Sequence, residues 1–136
     1  METNKKRLKR DYQQSHRPMG VFLIRNMSND KVFVGVGLNL VGIMNRHKFE
    51  LELGKHRNKR LQADWNEFGG DRFAFEILDQ LNPRDDPHFD YRAELAFLEN
   101  LYLEQLQPYD ERGYNQRPQS REEKLRRIAS KRSSRP

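Results

Sequence analysis

The sequence predicts an α+β fold for residues 18 to 115: a small three-stranded, mainly antiparallel sheet packed with three helices. Three observations predict it. Two runs rich in β-branched and aromatic residues, Met19 to Arg25 and Lys31 to Val36, flank the turn-forming stretch Asn26 to Asp30 and read as a β-hairpin. Two stretches with apolar residues at helical spacing follow, and then a partly alternating run, Arg72 to Leu78, reads as a third strand. Because a hairpin joins the first two strands, the layer is not a doubly wound parallel sheet.

Taken in order, residues 1 to 17 are polar and without periodicity, and are expected to form a flexible basic arm ending at Pro18. Within the hairpin, Asn29 and Asp30 tolerate the left-handed backbone that a tight turn uses. From Asn39 onward, Leu40, Ile43, Met44, His47, Leu51 and Leu53 fall roughly on one side of a helix that Gly54 should end. Leu61, Trp65 and Phe68 mark a second helix closed by Gly69 and Gly70, and at this spacing Trp65 reads as core. The strand from Arg72 to Leu78 should pair with the hairpin. Asn82 to Phe89, with its prolines and adjacent aspartates, reads as a surface loop. Leu95, Leu98, Tyr102, Leu103 and Leu106 place a third helix over residues 91 to 107, stopped by Pro108. Gly113-Tyr-Asn115 is a return segment. In the basic tail, residues 116 to 136, Leu125 and Ile128 are too few to hold a short helix by themselves.

Charge is unevenly spread along the 136 residues. Of the net +6, residues 1 to 17 carry +4 and residues 116 to 136 carry +6, which leaves −4 on residues 18 to 115. Cations clustered on arms attract polyanions by counterion release. Lys5, Lys6, Arg7, Lys9 and Arg10 at one end, with Arg121, Lys124, Arg126 and Arg127 at the other, therefore point to nucleic acid, DNA first and RNA left open. The chain has no cysteine, which excludes disulfides, thiolate metal sites and a cysteine nucleophile, and fits a cytoplasmic setting. No apolar run approaches the roughly 20 residues that cross a bilayer, so no membrane partner is expected. Nothing in the sequence fixes an oligomeric state.

Gly20-Val-Phe22 on the first strand and Phe33-Val-Gly35 on the second resemble the paired tripeptides that name the GIY-YIG nuclease family. Leu51 to His56, Asn58, Leu61-Gln62 and Asn66 to Gly69 resemble the helical middle of its homing-endonuclease-like members. Glu99-Asn-Leu-Tyr102-Leu103 and Gly113-Tyr-Asn115 complete the match, in the right order, across nearly all of residues 20 to 115. The resemblance implies a DNA endonuclease that hydrolyses phosphodiesters with one divalent ion, Mg2+ or Mn2+, and it implies Glu99 as the metal ligand. A single inward carboxylate is physically sufficient, because Mg2+ prefers hard oxygen ligands and retains several waters. His56 is implied beside the phosphate, with a helix-capping or surface role as the alternative. Asn115 is implied at the end of the domain, either orienting the strand ends and binding DNA or serving only the turn after Gly113.

The pattern breaks in two places. The family's two tyrosines are Phe22 and Phe33 here, and a phenyl ring cannot donate, accept or shuttle a proton. The position of the usual catalytic arginine holds Ile43 in an ungapped alignment on His47 and His56. Arg46, one residue short of a full turn away, should point elsewhere unless the register shifts; with a shift it replaces that arginine and His47 serves as substitute base. Three readings result: a metal-dependent endonuclease using Arg46, His47, His56, Glu99 and Asn115, a catalytically inactive nucleic-acid-binding module, or a protein-interaction domain using the acidic body.

Overall fold

The computed structural model describes residues 18–118 and 121–133. Strands β1 (Met19–Asn26), β2 (Val32–Gly37) and β3 (Phe73–Leu81) form one sheet in the order β2-β1-β3, with both pairings antiparallel. Between β2 and β3 lie helices α1 (Leu40–Leu53) and α2 (Lys59–Phe68), and β3 is followed by α3 (Tyr91–Leu106) and α4 (Arg121–Ser133). The expected α+β architecture is what the chain adopts. The third strand is longer than its alternation indicated, because its last three residues, Asp79 to Leu81, pair with Val21 to Met19 beyond a β-bulge.

Local chemistry accounts for the element ends. Asp30 turns the hairpin with φ 62°, the left-handed conformation expected of this residue type. The side chain of Asn39 accepts from Gly42 N at 3.2 Å to cap α1, and Gly54 closes it with φ 75°. Asn58 and Asp90 cap α2 and α3 in the same way, accepting from Leu61 N and Ala93 N. Leu53, expected on the apolar side of α1, is 55% exposed, because it occupies the last turn before the Gly54 stop and extends past the core.

Central strand β1 is buried on both faces, which is why Val21 to Ile24 read as an unbroken apolar run. Its side chains alternate between two layers. Phe22 and Ile24 face Leu40 and Leu51 of α1 and Leu61 and Trp65 of α2, where Trp65 packs on Phe73 with ring centroids 5.1 Å apart. Val21 and Leu23, with Val32 and Val34 of β2, face Leu98, Tyr102 and Leu103 of α3 on the opposite side. α3 is also tied to β3 by the Tyr102 hydroxyl, which donates to Asp79 at 2.9 Å.

The tripeptide glycines serve close approaches. A Cβ at Gly20, whose φ is 154°, would stand 2.0 Å from the Asp79 carbonyl oxygen at the bulge. A Cβ at Gly35 would stand 2.6 Å from the tip of the Phe22 ring, so the second tripeptide makes room for the aromatic of the first.

Candidate functional site

A cleft of about 650 Å³ opens beside the β2 edge of the layer that holds α1 and α2. It is lined by Phe33, by Arg46, His47 and Glu50 of α1, by His56 to Arg60 at the start of α2, and by Asp110 and Tyr114 to Arg117 of the return segment. His47 and Glu50 are three residues apart on α1 and so share a face. His56 follows the Gly54 stop and is turned inward, its backbone N–H donating to Gln62 Oε1 at 3.0 Å. Gln62 donates in turn to the Leu51 carbonyl at 3.1 Å, which locks the α1–α2 corner.

The two imidazoles form a directed hydrogen-bond chain. The backbone N–H of Asn58 donates to His56 Nδ1 at 3.0 Å, so that nitrogen carries a lone pair and the proton of neutral His56 sits on Nε2. His56 Nε2 lies 2.7 Å from His47 Nδ1 and therefore donates to it. By the same logic His47 is protonated on Nε2, which has no partner among the described residues. Both rings are neutral at pH 7: burial, then the neighbouring His56, pushes the His47 pKa down to about 4, against a smaller opposing pull from Glu50. Burial also lowers the pKa of His56. Phe22 and Phe33 supply the low-dielectric wall, with ring centroids 5.3 and 5.6 Å from that of His47.

The rim is cationic although residues 18 to 115 sum to −4. Arg46 is held by Glu50 at 3.2 Å, and Arg117 by Asp110 at 2.7 Å; Arg60 donates to the Asp110 carbonyl. Arg57 and Lys59 make no ion pair among the described residues. Cations around the N-terminus of α2 oppose its macrodipole, so their position serves something other than the helix.

Of the sequence-predicted residues, Phe33, Arg46, His47, His56 and Asn115 line this one cleft. Arg46 reaches it, whereas Ile43 is turned to the sheet and packs within 3.1 Å of where a Cβ on Gly37 would stand. Phe22 lies beneath the cleft, fully buried, while Phe33 is only partly buried in its wall. Asn115 pairs with the β2 edge, accepting from Val34 N and donating to Val34 O, each at 2.9 Å. Both ends of its amide are thereby used in structure.

Glu99 is not among the lining residues. It sits on α3, with Leu95, Tyr102 and Leu103 one turn away on the same helix face. This half-buried carboxylate has no hydrogen-bond or ion-pair partner among the described residues, and burial raises its pKa. An unpaired, desolvated carboxylate of this kind fits a hard divalent ion, whose charge would offset the desolvation. Lys5, Lys6, Arg7, Lys9 and Arg10 lie outside the described residues. Lys124 and Arg126 are exposed on α4; Arg121 and Arg127 fall on the same helix with side chains outside the description.

Sequence reasoning missed Glu50, Arg57 and Lys59. The His-x-x-Glu spacing on a helix was the available signal for Glu50. The two cations were hidden because net charge averages a basic cleft with an acidic remainder. Asn58, noted only as part of a resemblance, sets the tautomer of His56, and its side chain ties α2 to the Tyr114 carbonyl at 2.6 Å. The Tyr114 hydroxyl accepts from the buried Asn26 amide at 3.1 Å and donates to Asp64 at 2.6 Å.

The fold is similar to that of known structures. Over 71% of its length the chain is similar to the catalytic domain of the homing endonuclease I-TevI, at 28% identity and a TM-score of 0.59, covering 96% of that domain. A mutant form of the same intron endonuclease domain, with alanine in place of glutamate, matches at 26% identity and a TM-score of 0.59, over 72% of this chain and 92% of that one. No family model matches the chain, and no curated protein does. The fold is GIY-YIG-like, the fold of a nuclease catalytic domain. No helix among the described residues is long and apolar enough to cross a membrane.

Proposed function

We propose that this chain is a metal-dependent DNA endonuclease that hydrolyses phosphodiester bonds at the His47–His56 cleft. The observation that carries the reading is the directed Asn58–His56–His47 chain inside a cationic cleft, on the fold of an endonuclease catalytic domain.

The geometry supports the following roles. Arg57 and Lys59, which make no ion pair among the described residues, contact backbone phosphates, and the basic arms add sequence-independent attraction. His47 presents Nε2–H to a non-bridging oxygen of the scissile phosphate, and His56 behind it fixes that tautomer and strengthens the donor. With its outward nitrogen already protonated, His47 donates rather than abstracts. Glu50 is therefore the group that accepts the proton of the attacking water, a task neither Phe22 nor Phe33 can perform. Arg46, paired with Glu50, can exchange that partner for phosphate. Glu99, which lies on α3 outside the lining of this cleft, is the residue that would hold Mg2+ or Mn2+, an ion that would supply Lewis-acid chemistry when bound. Asn115 fixes the β2 edge.

A catalytically inactive nucleic-acid-binding module is the second reading, favoured by the two phenylalanines. Supercoiled and branched DNA incubated with Mg2+ or Mn2+, against an EDTA control at matched salt, separates the two. Metal-dependent nicking supports the enzyme. Salt-sensitive binding without nicking under either ion supports the module, and absence of both sinks the two readings together.

A further inference from the structure

We propose that His47, Glu50 and His56 form a second cation site, built for Zn2+ or another borderline transition ion, separate from the hard-cation ligand Glu99. One ligand atom from each of the three lies within 4.8 Å of the other two. Two imidazoles and one carboxylate are a recurrent zinc donor set, whereas Mg2+ prefers oxygen ligands. The residues are also delivered by rigid parts of the fold. His47 and Glu50 share a face of α1, and His56 is buried and anchored through its backbone to Gln62. Phe22 and Phe33 wall the imidazoles on the sheet side, leaving the cleft as the open approach for a fourth ligand such as water.

Loading the ion requires small changes. Ligand atoms around a tetrahedral zinc, with bonds of about 2.0–2.2 Å, stand roughly 3.3 Å apart. The 2.7 Å imidazole pair therefore opens by about half an ångström, and Glu50 leaves the exposed Arg46. The His56 proton moves from Nε2 to Nδ1, which breaks the single neutral hydrogen bond from Asn58 N–H and leaves the proton count unchanged. Three metal–ligand bonds replace that bond and the shared proton. A consequence that rests on the nuclease reading is that Zn2+ takes the Glu50 carboxylate that accepts the proton and breaks the His56–His47 hydrogen bond that supports the His47 donor, and so inhibits cleavage.

The test needs no DNA, so it stands or falls separately from the nuclease reading. The full chain is titrated with Co2+ and then Zn2+, following Co2+ visible absorption, its displacement by Zn2+ and the binding stoichiometry, with circular dichroism as the control for folding. The expected result is one Zn2+-displaceable Co2+ per chain, with the intense bands of a four- or five-coordinate ion. Glu50→Gln and His47→Gln should each weaken it by about tenfold or more. A Co2+ spectrum no different from that of the hydrated ion overturns the proposal. So does affinity unchanged in both folded variants, which assigns the ion to other side chains.

Discussion

Acidification should loosen this protein through His47. Folding moves the His47 imidazole from its ordinary pKa of 6.5 to about 4, chiefly by burial. Between those values the unfolded chain binds a proton that the folded chain refuses, so stability is fully present above pH 6.5 and is lost as pH falls toward 4. A shift of roughly 2.5 units corresponds to about 3 kcal/mol, and partial exposure of the ring with solvent screening reduces this to about 1–2 kcal/mol. His56, whose pKa burial also lowers, acts in the same direction. Urea unfolding at pH 7 and pH 4.5 measures the effect in the wild type and in His47→Gln. The wild type should lose about 1–2 kcal/mol more than the variant over that interval. An equal loss in the two would show that the imidazole is not desolvated by this fold, and the neutral donor chain would fall with it.

Three further outcomes are expected. Phe22→Tyr buries a hydroxyl with no partner and should cost about 1–3 kcal/mol in urea unfolding, whereas Phe33→Tyr places its hydroxyl at the cleft and should stay within about 0.5 kcal/mol. Tyr114→Phe leaves the buried Asn26 amide without its acceptor and should lower stability by about 1–3 kcal/mol by the same measurement. Arg57→Gln and Lys59→Gln should each reduce the slope of log binding constant against log salt by about 0.9, read from DNA binding by fluorescence anisotropy, if each contacts one phosphate.

Much of the fold was legible because its signals are local. The left-handed turn at Asp30, the glycine stop of α1 and the proline after α3 are set by single residues whose backbone preferences are strong. The extension of β3 to Leu81 was not, since the bulge beside Asp79 depends on Gly20, 59 residues away in the sequence, admitting a close backbone approach. In the cleft, His47 and His56 stood out as residue types, but their roles are fixed by the direction of the Asn58 N–H, which only the α1–α2 corner determines. Arg46 illustrates the limit of helical phase: a side chain as long as arginine reaches the cleft from a position that an ideal helix would turn away. Asn115 shows the reverse case, because a suggestive polar residue proves to use both ends of its amide on the Val34 backbone.

The central claim is most directly tested by nicking of supercoiled DNA under Mg2+ or Mn2+ by the wild type, Glu99→Ala and His47→Ala in parallel, with binding measured at the same salt. Metal-dependent nicking by the wild type that is lost in both variants, with binding retained, is the predicted result. Nicking that survives in Glu99→Ala, or three proteins that bind DNA equally and never cut it, would contradict the account.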